Sequence, residues 1–308
     1  MFSKSIWLTG SRGFVGSRVA AVLKQAGAQL HCFTNRKVAG EANGATETRC
    51  LQMDYQDAED ITDKVARLGL PDTFIHLGWG DMTKPESALH SGENVPAGKT
   101  LIGTLFSQGL RTFIFVGSMN EYGGRTGPLS EDMEPQGRLT NYAKGKIEVA
   151  RFGFQSANAH HKTFIHVRTF YVYGAGQRQG SLINDLYQCY GAGTEPNLSP
   201  CEHYRDYIHV ADVAEGLRLM TDVQESTTVN FGSGAAVQVK DFVMLFWKTL
   251  GGDDNKLKFG ARPVRLDEPE QPKSYADLTH LKNLIHWTPA LSLSDGVKLT
   301  IKELQQLS

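Results

Sequence analysis

The chain has 308 residues, of which 40% are hydrophobic and 21% are charged, and its formal net charge is −1. This composition is typical of a soluble globular protein with one large domain or two intertwined ones, and the near-zero charge argues against a surface for nucleic acid or membranes. The longest apolar runs are too short to span a bilayer, and the N-terminus lacks the pattern of a signal peptide, so we expect a cytoplasmic protein. Because the four cysteines are far apart in sequence, we expect reduced thiols and no metal site.

Short β-branched and aromatic runs alternate with helical patterns along most of the chain. The predicted strands are SIWLT (5–9), QLHCF (29–33), ETRCLQ (47–52), TFIHL (73–77), TFIFV (112–116), TFIHV (163–167) and TTVNF (227–231). Several of these runs are almost continuously hydrophobic, as strands buried on both faces are. The alternation predicts an α/β fold of the Rossmann type, with a doubly wound parallel sheet.

The second half of the chain is less regular. Residues 170–205 are rich in Gly, Tyr and polar types, and the proline-rich segment 260–272 is typical of a loop. We therefore predict a smaller C-terminal α/β lobe beside the Rossmann domain. We assign residues 1–168 and 207–236 to the Rossmann domain, and residues 169–206 and 237–308 to the lobe.

A glycine-rich segment, TGSRGFVGSR (9–18), follows the first predicted strand and opens the first predicted helix. Gly10, Gly13 and Gly16 form a G-x-x-G-x-x-G pattern. Glycines at these positions let the backbone turn tightly and approach a pyrophosphate, which rests on the helix N-terminus. The position of the pattern, directly after a strand, predicts a dinucleotide site.

The residues after the second strand indicate which dinucleotide is bound. Sites for NAD usually carry Asp or Glu there, but this chain has Asn35 and Arg36, and no carboxylate appears until Glu41. Arg36 and Arg12 are both suited to a 2′-phosphate, because a guanidinium donates two parallel charge-assisted hydrogen bonds. We therefore predict NADP(H). Asp54, after the third strand, is a candidate contact to the adenine amino group.

The stretch NYAKGK (141–146) places Tyr142 four residues before Lys146, on the same face of a predicted helix. A cation beside a phenol favours the phenolate and lowers its pKa, so the pair predicts an acid or base that works near neutral pH.

A series of motifs resembles, in order, the extended short-chain dehydrogenases, in particular the NAD(P)-dependent epimerase/dehydratase family that acts on nucleotide sugars. The motifs are TGSRGFVG (9–16), HLGWG (76–80), FVGSMNEYG (115–123), NYAKGK (141–146), RTFYVYGAGQ (168–177), YRDYIHVADVAEG (204–216), NFGSG (230–234) and YADLTHLKNLIHWTPALSLSDGV (275–297). They cover almost the whole chain. The resemblance implies that the Rossmann domain binds NADP and that the lobe binds a nucleotide sugar.

The resemblance implies roles for individual residues. Tyr142 resembles the catalytic acid/base, Lys146 the residue that tunes it and holds the nicotinamide ribose, and Ser118 the hydroxyl that bonds the reacting sugar oxygen. Further implied cofactor contacts are Phe14, Val15, Leu77, Gly78 and Trp79. Implied substrate contacts are Ser118, Asn120, Glu121, Tyr171, Arg205 and Arg265. The two arginines are assigned to the nucleotide diphosphate, with Arg262 as a competitor for the role of Arg265.

Departures from the family pattern narrow the reaction. The 4,6-dehydratases carry an Asp–Glu pair after the Ser or Thr, but this chain has Met119 and Asn120, neither of which can act as that acid. Asn120 also stands where an epimerising member has Cys. With Tyr171 in RTFYVYG and Glu121 before Tyr122, the chain resembles the 4-keto-6-deoxyhexose reductases, which include the CDP-paratose and CDP-abequose synthases.

We therefore predict NADPH-dependent reduction of the C4 ketone of a nucleotide-linked 4-keto-6-deoxyhexose. An NAD-dependent nucleotide-sugar 4-epimerase is an alternative, and a catalytically silent NADP-binding regulatory subunit is an alternative of another class. The resemblance also implies a homodimer, formed by a four-helix bundle to which helices near 95–110 and 142–156 would contribute. The nucleotide base, the hexose and the stereochemistry at C4 are left open.

Overall fold

The computed structural model describes residues 4–35, 50–263 and 273–307. In this part of the chain the strands β1 to β12 are Ser5–Thr9, Gln29–Thr34, Cys50–Gln52, Thr73–His76, Thr112–Ser118, Gly127–Leu129, Thr163–Thr169, Tyr171–Tyr173, Tyr204–His209, Thr227–Phe231, Ala236–Gln238 and Ser274–Ala276. The α-helices α1 to α9 are Phe14–Gln25, Ala58–Leu68, Val95–Ser107, Asn141–His160, Leu182–Ala192, Val210–Met220, Val239–Leu250, Thr279–Ile285 and Leu293–Leu307. A short π-helical turn, His90–Asn94, precedes α3.

A seven-stranded sheet has the order β10-β7-β5-β4-β1-β2-β3, and the pairings that connect β7 through to β3 are all parallel. The chain enters at β1, moves outward to β3, and returns to continue from β4 on the other side. This reversal between β1 and β4 is the switch point of a doubly wound sheet, where such folds bind their ligands. The predicted Rossmann fold is confirmed.

The central strands are buried on both faces, as their continuous hydrophobicity predicts. All four residues of β4 and all seven of β5 are buried. Aromatic side chains fill the core around them, with Phe74 and Phe113 stacked at 5.0 Å and Trp7 tilted against Phe33 at 4.7 Å. This rigid sheet positions the loops at its carboxyl edge.

The chain divides into two compact units. The first comprises Met1–Gly123, Pro135–Thr169 and Ala214–Val229, and the second comprises Gly124–Glu134, Phe170–Val213 and Asn230–Ser308. Segments 124–134, 207–213 and 230–236, together with Thr169, therefore lie in different units from those assigned on sequence. The reason is strand pairing, because β6 pairs with β12, and β9 pairs with β8 and β11.

The second unit contains a three-stranded sheet, β11-β9-β8, in which β9 is parallel to β8 and antiparallel to β11. Its core is formed by α5, α7 and α9 with aromatic contacts such as Tyr207 stacked on Phe242 at 4.2 Å. All four cysteines are free. Among the described residues, no helix combines the length and apolar character needed to cross a bilayer.

Candidate active site

The glycine loop connects β1 to α1 at the switch point. Gly10 adopts φ +74°, and a Cβ there would lie 2.9 Å from the backbone nitrogen of Gly78, which follows β4. A Cβ on Gly16 would lie 2.0 Å from the carbonyl oxygen of Gly10, so α1 packs directly on the loop. Only glycine meets both requirements, because a side chain would push the loop away from β4 and from α1.

The N-terminus of α1 is free of competing acids. Gly13 precedes the helix and provides no side-chain cap, and the first turn carries no acidic residue. The partial positive charge of a helix N-terminus attracts anions, and Arg12 adds a full positive charge in the same loop. Arg12 is exposed. This donor set fits the pyrophosphate of a dinucleotide.

The other predicted cofactor contacts on β2 and β3 are at the carboxyl ends of their strands. Asn35 is exposed after β2, and Asp54 is exposed after β3, where one carboxylate oxygen accepts from the backbone N–H of Gln56 at 2.9 Å. Asp54 therefore shapes a turn as well as presenting a carboxylate to solvent. Arg36 lies outside the described residues.

A buried histidine braces the loop after β4. Thr9 Oγ1 and His76 Nδ1 are 2.7 Å apart, and the same hydroxyl accepts from the N–H of Gly78 at 3.1 Å. Burial and the charge of Lys146 lower the pKa of His76 to about 3, so this imidazole is neutral across physiological pH. The bonds hold the segment of Leu77, Gly78 and Trp79 against the glycine loop.

Ser118, Tyr142 and Lys146 converge at the carboxyl end of β5. Ser118 is the last residue of β5, and its side chain is hydrogen-bonded to that of Tyr142, in the first turn of α4. Lys146 lies one turn further, where its Nζ donates to the carbonyl oxygen of Val116 at 2.8 Å. All three residues are buried. The structure thus brings together the three predicted catalytic side chains.

The electrostatics of the pair differ from the sequence-based prediction. Burial raises the pKa of Tyr142, with the hydrogen bond to Ser118 acting against this and the charge of Glu121 adding to it. Burial also lowers the pKa of Lys146 to about 7, and the charge of Glu121 opposes that change. Lys146 is not among the groups that shift the pKa of Tyr142, so the net effect of burial on this phenol is opposite to the lowering that the spacing predicts. The Lys146 ammonium donates to the carbonyl oxygen of Val116 and lies 5.8 Å from the centre of the Tyr142 ring.

The N-terminal turn of α4 is tied to the segment before α3. The N–H of Tyr142 donates to the carbonyl oxygen of Pro85 at 2.8 Å, and the Tyr142 ring meets His90 edge-on at 5.4 Å. Trp79 Nε1 donates to His90 Nδ1 at 3.0 Å, and His90 Nε2 lies 2.9 Å from the carbonyl of Lys84. The imidazole therefore carries its proton on Nε2 and locks the Trp79 ring beside the phenol.

Glu121 is not placed to contact a substrate, which corrects the prediction for this residue. Its side chain is fully buried, and its carboxylate accepts from the N–H of Ser118 at 2.8 Å and contacts His166 and Arg168. A carboxylate can be buried here without a large free-energy cost only because these donors satisfy it. Asn120, by contrast, is exposed, and its N–H donates to Ser118 Oγ at 3.2 Å.

The predicted substrate residues of the second unit also meet. The guanidinium of Arg205 lies 4.2 Å from the ring centre of Tyr171, on neighbouring strands β9 and β8. The adjacent Asp206 is buried and accepts from the N–H groups of Ser233, Gly234 and Ala276. Arg262 is exposed, and its backbone N–H donates to Leu198. Arg265 lies outside the described residues.

Sequence reasoning missed His166, Arg168 and His90. Two of them carried a usable signal, because His166 and Arg168 stand two residues apart in the otherwise apolar run TFIHVRT. Side chains two apart in a strand share a face, so polar groups at such positions of a buried strand imply a buried partner. His90 had no comparable signal.

The comparisons with known proteins agree with this geometry. The profile of the NAD dependent epimerase/dehydratase family matches residues 6–232. A chain with a doubly wound sheet, a glycine loop at its switch point and a Ser–Tyr–Lys group at the end of β5 has the features of that class. The protein belongs to the NAD dependent epimerase/dehydratase family, which confirms the resemblance read from its motifs.

Individual relatives cover nearly the whole chain. CDP-abequose synthase of Salmonella typhimurium is 25% identical over 309 residues, which is 96% of this chain and 97% of the relative. UDP-glucose 4-epimerase of Thermotoga maritima superposes with a TM-score of 0.86 at 22% identity, covering 98% of this chain and 99% of that one. RMD of Pseudomonas aeruginosa, solved with NADPH, has a TM-score of 0.79 at 19% identity and covers 99% of each chain.

Proposed function

We propose that this protein reduces the C4 ketone of a nucleotide-activated 4-keto-6-deoxyhexose with NADPH. The observation that carries the proposal is the convergence of Ser118, Tyr142 and Lys146 at the carboxyl end of β5, in the same unit as the glycine loop. The likeness to CDP-abequose synthase supports a nucleotide-sugar substrate. The substrate class, the direction of the reaction and the reductant are the parts to be tested.

The site fits a reduced nicotinamide dinucleotide. The glycine loop and the uncapped N-terminus of α1 would hold its pyrophosphate, with Lys146 near the ribose, and the bound group would supply hydride to the C4 carbon. Arg12 supports the choice of NADPH, because its exposed guanidinium is suited to a 2′-phosphate, and no acidic residue stands in the first turn of α1.

The chain's own groups complete the reduction. As the carbonyl carbon becomes tetrahedral, negative charge develops on the sugar oxygen. Ser118 donates a hydrogen bond to that oxygen, and Tyr142 transfers its hydroxyl proton to it. The raised pKa of Tyr142 keeps the proton in place at neutral pH until the oxygen becomes basic. Lys146 then balances the charge of the phenolate.

The residues beside Ser118 argue against dehydration. Met119 is half-buried and has no ionisable group, and Asn120 is an exposed carboxamide whose backbone braces Ser118. Neither side chain can remove and return the proton that loss of water from C5 and C6 requires. Reduction needs only the three converging side chains.

Two further proposals concern the rest of the chain. We propose that Arg205 of the second unit contributes to binding the diphosphate, since it is a buried guanidinium stacked on Tyr171. We also propose a cytoplasmic homodimer through α3 and α4, as the family resemblance implies; within one chain these two helices pack side by side.

The decisive experiment follows NADPH absorbance with a panel of nucleotide-linked 4-keto-6-deoxyhexoses carrying CDP, dTDP, GDP or UDP. We expect at least one to oxidise NADPH at least tenfold faster than NADH. Tyr142→Phe should reduce kcat by about 10²- to 10⁴-fold, the usual contribution of a positioned proton donor. Tyr190→Phe, a change at an exposed tyrosine of α5, is the matched control and should retain activity.

Each other result has a definite meaning. If the protein copurifies with NAD and interconverts nucleotide hexoses without net oxidation of the cofactor, the proposed reaction changes from reduction to 4-epimerisation. Reduction that survives Tyr142→Phe would remove the assigned acid. Binding of NADPH without turnover of any nucleotide sugar would leave the silent regulatory subunit as the explanation.

A further inference from the structure

A charged network lies buried behind the catalytic serine. Glu121 has a side chain with 0% exposure, in a short 3-10 turn, Met119–Tyr122, that follows β5 directly. A carboxylate is costly to bury unless it is paired and hydrogen-bonded. A carboxylate retained at such a site therefore needs partners that satisfy it.

The partners come from the neighbouring strand β7 and from the backbone of β5. His166 Nε2 lies 3.2 Å from the carboxylate, and Arg168 Nε donates to it at 3.3 Å. The Arg168 guanidinium also stacks over the ring of Tyr122 at 4.5 Å. Burial favours the neutral acid, but His166, Arg168 and the N–H of Ser118 outweigh this effect and hold the pKa of Glu121 below its ordinary value. Glu121 is thus a buried anion at neutral pH.

The register between β5 and β7 brings the members of this network together. Phe115 is paired with His166 and Gly117 with Arg168 in the parallel register of β5 and β7. A Cβ on Gly117 would lie 2.3 Å from both Glu121 Oε1 and His166 Nε2. The absence of a side chain at position 117 therefore provides the space in which the carboxylate meets the imidazole.

The network ends on the residue that meets the phenol. Glu121 accepts the N–H of Ser118 at 2.8 Å, while the Ser118 side chain accepts from Asn120 and is hydrogen-bonded to Tyr142. The N–H and the hydroxyl of Ser118 stand on the same residue, so a bond that holds one restricts the position of the other. We propose that Glu121, supported by His166 and Arg168, is a positioning residue that holds Ser118 for its work on the sugar oxygen.

The inference rests on the proposed function, because it takes Ser118 as the group that meets the sugar oxygen. It adds an electrostatic consequence that can be measured without substrate. The charge of Glu121 raises the pKa of Tyr142, in the same direction as burial, and raises the pKa of Lys146, against the effect of burial. Removing that charge should allow Lys146 to lose its proton at a lower pH than in the wild type.

The test variant is Glu121→Gln, which removes the charge that pairs with Arg168 and leaves only a neutral, weaker acceptor for the N–H of Ser118. With the substrate found by the panel, we expect kcat to fall at least tenfold with KM changed less than twofold. In a Ser118→Ala background the same change should cost less than in the wild type, because the group being positioned is gone and only the effect of the lost charge on Lys146 and Tyr142 remains. Glu215→Gln, which removes an exposed carboxylate paired with Arg218, is the control and should leave both values unchanged.

A second measurement separates this inference from the proposed function. Titration of ¹⁵N-labelled lysine by NMR, with the Lys146 signal assigned by its loss in Lys146→Met, should show a lower pKa for Lys146 in Glu121→Gln than in wild type. Equal losses of kcat in both serine backgrounds, or an unmoved Lys146 titration, would overturn the positioning role. If the pKa of Lys146 falls in Glu121→Gln but the wild-type enzyme reduces no sugar, the result would count against the proposed function alone.

A partner variant covers the case in which Glu121→Gln does not fold. Arg168→Lys keeps a positive charge but loses the planar guanidinium that reaches both Glu121 and Tyr122. We expect kcat to fall in the wild-type background and to be unchanged in the Ser118→Ala background. A loss of the same size in both would contradict the network.

Discussion

The ammonium of Lys146 lies 3.9 Å from the centre of the Trp79 ring and donates a hydrogen bond to the carbonyl oxygen of Val116. The aromatic face and the carbonyl stabilise the cation, but burial outweighs them and lowers the pKa of Lys146 to about 7. The lysine therefore changes its charge within the working pH range, which makes its contribution measurable.

We expect kcat/KM for reduction to fall as the pH rises through about 7, because kcat/KM reports the free enzyme and the neutral lysine cannot balance a phenolate charge. The measurement is a pH profile of kcat/KM between pH 5.5 and 9 at constant ionic strength. A profile flat over this range would show that the charge of Lys146 plays no part in the slow step.

Lys146→Met should abolish reduction and stabilise the fold at neutral pH by about 1 kcal/mol or more, since a buried charge is replaced by an apolar chain. The pKa of Lys146 is lowered on folding, so between about 7 and 10.5 the unfolded chain holds more protons and wild-type stability rises with pH. The advantage of the variant should thus be greatest below pH 7 and shrink toward pH 10. Urea denaturation at several pH values checks this.

The control for that variant is Lys144→Met, which alters an exposed lysine two residues earlier in α4. It should leave activity and the pH dependence of stability as they are in the wild type. A similar gain in both variants would mean that general hydrophobicity, rather than removal of a buried charge, is responsible.

Arg12→Ala should weaken NADPH binding by about 10- to 100-fold, the range expected for a lost hydrogen bond to a charged group, and leave NADH binding unchanged. Fluorescence titration with each cofactor gives the two dissociation constants. Arg67→Ala removes another exposed arginine, on α2, and serves as the control. If the affinities for NADPH and NADH fall equally, Arg12 contacts the pyrophosphate, which both cofactors share, and does not contact the 2′-phosphate.

Gly16→Ala should destabilise the protein by about 1–3 kcal/mol, because the new Cβ must displace the glycine loop or α1. Its counterpart is Gly191→Ala in α5, where a Cβ would meet open space and should stabilise by about 0.5–1 kcal/mol. Thermal and urea denaturation compare the two. Similar changes in stability at both sites would contradict the close packing of α1 on the glycine loop.

Arg205→Lys should raise the KM for the nucleotide sugar by about tenfold and leave the KM for NADPH unchanged, because an ammonium cannot donate the paired hydrogen bonds of a guanidinium. Arg111→Lys, the same exchange at an exposed arginine of the first unit, is the control and should leave both KM values unchanged. A change of KM for NADPH alone in Arg205→Lys would reject the assignment to the nucleotide diphosphate.

Much of the fold could be predicted from the sequence because local signals were strong. The doubly buried strands are continuous apolar runs, and β1, β4 and β5 begin at the predicted residues. The spacing of Tyr142 and Lys146 predicts that both lie on one face of a helix, and the structure has them one turn apart in α4. Such a relation depends only on the geometry of one helix, whereas the role of Ser118 was implied by the family resemblance.

Relations between distant segments could not be predicted in the same way. The direction of the Lys146 side chain depends on the Val116 carbonyl and the Trp79 ring, which no spacing reveals. The resemblance implies that Glu121 contacts substrate, whereas its enclosure depends on the register of β5 against β7, which the sequence does not reveal. Strand pairing across the chain also determined which unit holds residues 124–134.

That register has a consequence for how this protein can change over evolutionary time. Ser118 is paired with Thr169, whose hydroxyl donates to the carbonyl of Gly117 at 3.1 Å, while Arg168 and His166 precede it on the same strand. An insertion or deletion of a single residue in β7 would turn these side chains to the opposite side of the sheet. We therefore expect the lengths of β5 and β7 to be retained together with Ser118 among descendants of this protein, and length changes to fall in the loops.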